Sequence, residues 1–202
     1  MATCRLLEIQ VEDHHPPNKW SVSLTEQVFK TFLALPHPIL HKVFGDGSFF
    51  SPLLFGKFFD PSDAFPLWDF ESDVLLSNLR SSSKTNLDWS ETNDAYLLKS
   101  ELPGIGMSTV GIGVNGEKGK IMEISGQWKQ QQREREGDWR SGNWWENGYV
   151  RRIEVPQDGD WKKIEAHLIN DVFLEVGPDR GFRNLKSNEV ALDLLKVTLK
   201  FL

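Results

Sequence analysis

The stretch NLDWSETNDAYLLKSELPG, residues 86–104, alternates apolar and polar side chains and stops at Pro103-Gly104. Period-two alternation is typical of a β-strand with one buried face, and Pro-Gly is typical of a turn. Further short alternating runs follow at intervals of about ten residues, a spacing typical of antiparallel sandwiches. They are residues 110–114, 121–126, 149–155, 164–168 and 172–176. The sequence therefore predicts an all-β antiparallel sandwich over residues 86–177.

The N-terminal region, residues 1–85, has a different composition. Ten of the 13 phenylalanines lie between Phe29 and Phe70. Prolines at positions 36, 38, 52, 61 and 66 interrupt any long regular element, because proline lacks an N–H donor and has a fixed φ. Apolar residues three to four apart predict one short helix from about Ser23 to Ala34. We expect the rest of this arm to be irregular, with a hinge at Ser81–Lys84.

Two segments do not fit the sandwich pattern. Residues 128–148 lack apolar alternation and contain four tryptophans, Trp128, Trp139, Trp144 and Trp145. A loop of this length inside a compact domain is usually functional or a crossing element. Residues 178–202 form a short basic C-terminal extension, whose apolar spacing leaves strand and helix both open.

The composition argues against several kinds of partner. The net charge of −6 disfavours nucleic-acid binding, which needs clustered cations. No run of ~18 apolar residues occurs, so no membrane span is predicted, and the acidic start of the chain does not fit a secretory signal. The single cysteine, Cys4, indicates a reducing compartment. We therefore expect a cytoplasmic chain, with the nucleus as an open alternative, and without nucleic-acid or membrane partners.

The signals for catalysis or metal binding are weak. Residues 111–116 fit the dinucleotide pattern G-x-G-x-x-G, but a strand follows them where a helix is needed, so we predict a strand and a hairpin turn. Histidines at positions 14, 15, 37 and 41 have no carboxylate or cysteine in a site-like cluster. No G-x-S-x-G motif occurs, and Cys4 lies near the end of the chain. We expect no enzyme activity, no cofactor and no metal.

Five motifs in order resemble those of the alpha-crystallin domain of small heat-shock proteins, closest to the plant type. The segment 86–92 is similar to the opening D-W-x-E-T strand, 95–104 to the A-D-L-P-G region, and 121–126 to the L-x-I-S-G strand. Residues 149–156 are similar to F-x-R-R-F-x-L-P, and 166–173 to A-x-x-x-N-G-V-L. Asp171 and Phe173 depart from the last motif, and such departures suggest an outlying class, such as class VI of plants.

The resemblance implies an immunoglobulin-like antiparallel β-sandwich (the alpha-crystallin domain, 86–177). A partly disordered aromatic-rich N-terminal arm (1–85) precedes it, and a short C-terminal tail (178–202) follows. It also implies a homodimer and a larger oligomer, in which the 128–148 loop pairs with the partner's first strand and covers that edge. The residues expected at the dimer interface are Trp89, Trp144, Trp145 and Arg151. Arg151 is expected to donate to carboxylates. The alternative for the pair Arg151-Arg152 is a solvated strand face.

The resemblance further implies a groove where a partner's tail motif docks. One wall is expected to be Val110, Ile112 and Val114, and the other Ile164, Ala166 and Leu168. The alternative is plain core, because inward strand faces must be apolar in any case. The tail motif is expected at Val197-Thr198-Leu199, with Val190-Ala191-Leu192 as the competing match.

The activity implied by the resemblance is that of an ATP-independent holdase, which binds partly unfolded client proteins and prevents their aggregation under heat or other stress. An aromatic surface on a proline-interrupted backbone fits this activity, because it can adapt to many apolar clients. The residues expected to contact clients are Phe49, Phe50, Leu53, Leu54, Phe55, Phe58, Phe59, Phe65, Trp68 and Phe70. The alternative is that these side chains pack on the sandwich or on each other.

Two other functions remain open. The first is a non-enzymatic regulatory or co-chaperone-type β-sandwich module that binds proteins without general holdase activity. The second is a sugar-binding sandwich, in which Trp139, Trp144 and Trp145 stack on sugar rings. The same tryptophans would otherwise be anchors of a protein interface, where tryptophan is enriched.

Overall fold

The computed structural model of the protein describes most of the arm and the sandwich. The described residues are 4–12, 24–45, 48–60, 63–66, 87–93, 95–102, 110–115, 121–128, 139–140, 143–160, 163–169, 173–176 and 196–200. Trp68, Phe70 and the competing tail match 190–192 lie outside them.

Eleven strands occur in the described residues and form two sheets. In chain order they are β1 (Cys4–Leu7), β2 (Ile9–Glu12), β3 (Phe65–Pro66), β4 (Leu87–Thr92), β5 (Ala95–Glu101), β6 (Gly111–Asn115), β7 (Ile121–Gln127), β8 (Gly148–Glu154), β9 (Ala166–Ile169), β10 (Phe173–Val176) and β11 (Lys196–Lys200). One sheet has the order β1-β9-β10-β11-β5-β4, and the other the order β2-β6-β7-β8-β3. The predicted all-β sandwich is confirmed.

The strands β4 to β10 form where the alternation predicted them. In β6 the side chains of Ile112 and Val114 are buried, and in β7 those of Met122 and Ile124, because successive side chains of a strand point to opposite faces. β6, β7 and β8 pair antiparallel in that order. The G-x-G-x-x-G glycines at 111 and 113 lie on β6, so the strand interpretation of that motif is confirmed.

The helix predicted at the start of the arm is present as α1 (Glu26–Leu33). Thr25 caps it, since its side-chain Oγ1 accepts a hydrogen bond from the Val28 backbone N–H at 3.3 Å. Phe29 and Phe32, three residues apart, are the buried residues of the helix. The spacing that predicted the helix therefore also identified the face that packs on the protein.

The expectation of irregular structure elsewhere in the arm is wrong for the described residues. A second helix, α2 (Pro38–Phe44), follows α1, and Pro38 stands at its start, where the missing N–H costs nothing and the fixed φ suits a helix. The strands β1, β2 and β3 also belong to the arm. Within the described residues, the remaining helical elements are a 3₁₀ turn (Leu54–Gly56) and α3 (Trp144–Asn147), which precedes β8.

The arm wraps around the sandwich. β1 lies at one edge of the six-stranded sheet, whereas β2 and β3 lie at the two opposite edges of the five-stranded sheet. The buried aromatics of α1 and α2 and the inward faces of the strands form one continuous hydrophobic core. Arm and sandwich are therefore packed as one unit in the described part of the chain.

Candidate functional site

A buried arginine on β8 holds the arm against the sandwich. The Arg151 side chain is 6% exposed. Its Nε donates to the Phe49 carbonyl at 2.7 Å, and its Nη2 donates to the Ser51 carbonyl. The guanidinium carbon also lies 5.8 Å from the centre of the Phe49 ring, a cation–π distance. Burial lowers the pKa of Arg151 to about 9, so the group stays a cation at neutral pH.

A serine-rich turn presents the two carbonyls to Arg151. The Ser48 Oγ donates to the Val43 carbonyl at the end of α2 and accepts from the Phe50 N–H at 3.3 Å. The Ser51 Oγ accepts from the Leu53 N–H at 3.1 Å. Hydrogen bonds between a serine side chain and the nearby backbone stabilise a turn, because they satisfy backbone groups that would otherwise pair in a helix or a sheet. The turn and Arg151 together form what we call the arginine clamp (residues 48–51 and 151).

Phe44, the last residue of α2, is the centre of an aromatic cluster. It is fully buried and meets four rings edge to face, at centroid distances of 5.9 to 6.3 Å. These rings are Phe29 and Phe32 of α1, and Trp128 and Trp144 of the 128–148 segment. Edge-to-face pairs add to the energy of apolar burial. The cluster therefore joins the helices of the arm to the segment between β7 and β8.

A second aromatic contact continues from the cluster to the clamp. The Phe50 ring lies 4.3 Å from that of Tyr149 on β8. Tyr149 is opposite Gly126 of β7, and a Cβ on Gly126 would overlap the Tyr149 ring. Only glycine leaves room for the ring at this position. Burial also raises the pKa of the Tyr149 phenol, so the group is neutral at physiological pH.

Most residues expected to contact clients are packed in the core. Phe49, Phe50, Leu54 and Phe65 are buried, and Leu53, Phe58 and Phe59 pack against the same core while partly buried. The Phe55 side chain, like Trp68 and Phe70, lies outside the described parts. The seven described residues of this set thus pack as the alternative predicted, on the sandwich and on each other. Client contact stays a prediction.

The four residues expected at a dimer interface have contacts within this chain. Trp144 and Trp145 are each 2% exposed and meet at an angle of 85°. Trp89 is partly buried and stacks on Tyr96 at 5.2 Å. Arg151 binds carbonyls of the clamp, and no carboxylate pairs with it in the described residues. A role of these residues in dimerisation stays a prediction, whereas the sugar-stacking alternative is wrong because Trp144 and Trp145 offer no exposed coplanar faces.

The arginine that follows on the strand has the carboxylate partner. The Arg152 Nε donates to Glu123 Oε2 at 3.2 Å across the β7–β8 pair, and both side chains are mostly buried. Burial lowers the pKa of Arg152, and the neighbouring Glu123 opposes that effect. The two arginines therefore face different surroundings, and the alternative of a solvated strand face applies to neither.

The predicted groove residues line a strip between β6 and β9. Ile112, Val114, Ile164, Ala166 and Leu168 are buried, and Val110 is partly buried. Residues 4–12, which we call the N-terminal strap, cover this strip. β1 pairs antiparallel with β9, and β2 pairs parallel with β6. The strap is not among the predicted elements, although the alternation of Leu7, Ile9 and Val11 was a signal for it.

The expected tail motif lies elsewhere, in the six-stranded sheet. Val197 and Leu199 are part of β11, which pairs antiparallel with β5 over Ala95–Leu98 and parallel with the end of β10. The tail is thus a strand in this region, which the sequence left open. Docking of a partner's tail in the groove stays a prediction, and within this chain the strap covers the groove.

Two features are absent from the part of the chain that the structure describes. No group of three or more histidine, cysteine or carboxylate side chains that could hold a metal occurs in the described residues. No helix in the same residues is long and apolar enough to cross a membrane. A large apolar surface is buried between the arm and the sandwich.

Comparison with known proteins identifies the family. The sequence profile of the Hsp20/alpha crystallin family matches residues 88–189. The 21.7 kDa class VI heat shock protein of Arabidopsis thaliana is 52% identical over 174 residues, which cover 84% of this chain and 90% of that protein. The 22.3 kDa class VI heat shock protein of Oryza sativa subsp. japonica is 44% identical over 159 residues, or 73% of this chain and 77% of that protein.

Solved structures show a more distant similarity. Heat shock protein 16.0 from Schizosaccharomyces pombe is 22% identical, and the match covers 57% of this chain and 72% of that one with a TM-score of 0.31. The family membership therefore rests on the sequence profile and the sequence relatives.

Proposed function

Because the chain belongs to the Hsp20/alpha crystallin family, we propose that it is an ATP-independent holdase that binds partly unfolded proteins and keeps them from aggregating. In this proposal the arm is a store of apolar surface. It is packed on the sandwich at rest and is released on warming to contact clients. We place the activity in the cytoplasm, with the nucleus as the alternative location.

The observation that carries the proposal is how the arm is packed. The rings of Phe29, Phe32, Phe44, Phe49 and Phe50 are buried together. An aromatic side chain buries about 150–250 Å², and each Å² of apolar surface kept from water stabilises by about 25 cal/mol. Release of the arm without a client therefore costs free energy, because it exposes these rings to water. A client that covers the same rings offsets that cost.

The clamp includes a buried charge that limits the stability of the packed arm. Its attachment depends on one buried cation that binds neutral carbonyls and has no ion pair with a carboxylate in the described residues. Taking a charge out of water costs several kcal/mol unless it is well paired. Within the described parts, the Trp144 indole N–H is also buried without a hydrogen-bond acceptor, which costs about 1–3 kcal/mol. These costs lower the stability of the packed arm.

We also propose that the protein pairs with a second copy through β4. In the described residues β4 is the last strand of the six-stranded sheet and pairs only with β5. Its outer side offers backbone N–H and C=O groups to another strand. A partner's 128–148 segment is the proposed occupant, as in the family resemblance.

The test is to warm the full-length chain with a heat-labile enzyme. Light scattering follows aggregation of the enzyme, and binding of the dye ANS to the chain alone follows exposure of apolar surface. We expect suppression of aggregation to begin in the temperature range where ANS binding rises. The control is a protein of similar size without holdase activity.

Two results would count against this account. If the enzyme aggregates equally with and without the chain, the holdase proposal is wrong, and an interaction module without general holdase activity becomes the better interpretation. If aggregation is suppressed with no rise in ANS binding, the activity does not come from release of the arm.

A further inference from the structure

The tail strand β11 fills a notch in the six-stranded sheet. β10 pairs with β5 over residues 99–101, whereas β11 pairs antiparallel with β5 over residues 95–98 and parallel with the last two residues of β10. We call the edge of β5 at 95–98, together with the end of β10, the notch. The tail therefore lies between two strands of the sandwich and not at the edge of the sheet.

The notch offers backbone hydrogen bonds beside an apolar surface. Leu98 is fully buried and Tyr96 is 7% exposed, and both belong to the hydrophobic core. In the register of the strand pair, Val197 is opposite Leu98 and Leu199 is opposite Tyr96. Positions two apart on a strand share one face. The notch therefore fits an extended segment with apolar residues at alternate positions.

β11 can leave the notch while the strands on either side keep other partners. β5 stays paired with β4 along its length, and β10 stays paired with β9 and with the other half of β5. β11 itself has five residues and is joined to β10 through residues 177–195. A strand this short has little stability alone, and ordering the long connection costs conformational entropy.

An empty notch recruits another strand, because unpaired N–H and C=O groups on a strand edge are a template for pairing. A partly unfolded protein has what this edge needs, an extended backbone with unpaired groups and exposed apolar side chains. The tail of a second copy offers only the strand. A client also contacts the released arm, so that two attachments act together, and it is therefore the favoured occupant.

We propose that the notch is a second client site on the sandwich, which β11 of the same chain covers until an extended segment of the client displaces it. The inference rests on the holdase activity proposed above. It adds a main-chain contact on the sandwich to the contact with the arm. The tail limits binding in this arrangement, because the apparent dissociation constant rises as the fraction of chains with an open notch falls.

A disulfide can hold the tail in the notch of the full-length chain. Leu97 and Thr198 are register partners. Cα atoms of antiparallel partners lie about 4.5–5.5 Å apart, within the range that a disulfide spans. The Cys4→Ser/Leu97→Cys/Thr198→Cys variant, which we call the tail lock, is compared in its oxidised and reduced states.

A second full-length variant moves the tail in the opposite direction. Val197 is paired with β10 on one side and with β5 on the other. Val197→Pro removes an N–H that lies between two strands, a position where proline is not tolerated, and so releases β11. The control for the effect of a disulfide is Cys4→Ser/Asn115→Cys/Ile121→Cys, which links register partners of β6 and β7.

The probe is dye-labelled α-lactalbumin with reduced and carboxymethylated cysteines, an unfolded protein. Fluorescence anisotropy gives its dissociation constant at the temperature where suppression of aggregation begins. We expect oxidation of the tail lock to weaken binding about tenfold, through loss of one of two attachments, and reduction of the same sample to restore it. Val197→Pro should strengthen binding a few-fold, and the control disulfide should leave it unchanged.

Several results would overturn the inference. If the oxidised tail lock binds the probe as well as the reduced one and still suppresses aggregation, the notch is not a client site, and the holdase proposal stands. Equal weakening by the control disulfide, or weaker binding by Val197→Pro, also refutes the inference. If no 97–198 disulfide forms, β11 does not occupy the notch. If the unaltered chain neither binds the probe nor suppresses aggregation, the holdase proposal and the inference are both wrong.

Discussion

Replacing Phe44 by alanine is expected to destabilise the packed arm by about 3–5 kcal/mol, the usual cost of removing a fully buried phenylalanine. Phe44 is fully buried and meets four rings, two from α1 and two from the 128–148 segment. Its loss leaves a cavity where the arm and the sandwich meet. For a chain of this size the unfolding midpoint should fall by about 10 °C.

Urea and thermal unfolding, followed by tryptophan fluorescence, measure this effect, because Trp128 and Trp144 contact Phe44 directly. The matched control is Leu35→Ala, at an apolar residue of the arm that is 51% exposed, with an expected change within about 0.5 kcal/mol. A loss below about 1 kcal/mol for Phe44→Ala would mean that the cluster does not hold the arm.

Replacing Arg151 by alanine is expected to cost about 2–4 kcal/mol and to bring ANS binding and suppression of aggregation to lower temperature. Two buried carbonyls, those of Phe49 and Ser51, lose their donor, at about 1–3 kcal/mol for each unsatisfied group. Relief of the buried charge offsets part of this cost. The onset temperatures of dye binding and of suppression measure the result.

The Arg151→Lys variant distinguishes the effect of the positive charge from the effect of the guanidinium shape. Lysine keeps the cation but lacks the planar fork that reaches both carbonyls, so we expect an intermediate onset temperature. Lys57→Ala is the control, since Lys57 is an exposed cation of the same arm, and it should leave the onset unchanged. An onset for Arg151→Ala equal to that of the unaltered chain would exclude the clamp as the attachment of the arm.

The sandwich could be predicted from the sequence because its strands carry a local signal. Ile112 and Val114 alternate with glycines, and their burial follows directly from that period. The family motifs lie on these same strands, so the resemblance read from them agrees with the matched family. Helix α1 was also predictable, since the spacing of Phe29 and Phe32 identifies its buried face.

The packing of the arm could not be predicted, because it depends on contacts distant in sequence. The Arg151 side chain binds carbonyls about 100 positions earlier in the chain, and no local pattern reports such a pair. The prolines of the arm predicted an interruption of regular structure, yet Pro38 begins α2. The four-residue strands of the strap are stabilised by the sheet edges they meet, since a segment this short has little stability alone.

The central claim is that the arm is packed on the sandwich at rest and released when clients are bound. Hydrogen exchange of the full-length chain, read by mass spectrometry, tests it most directly. We predict that amides of α2 and of residues 48–51 are protected at room temperature and lose protection where suppression of aggregation begins, while β7 and β8 stay protected. Fast exchange of those arm amides at room temperature, or protection that persists while clients are held, would contradict the account.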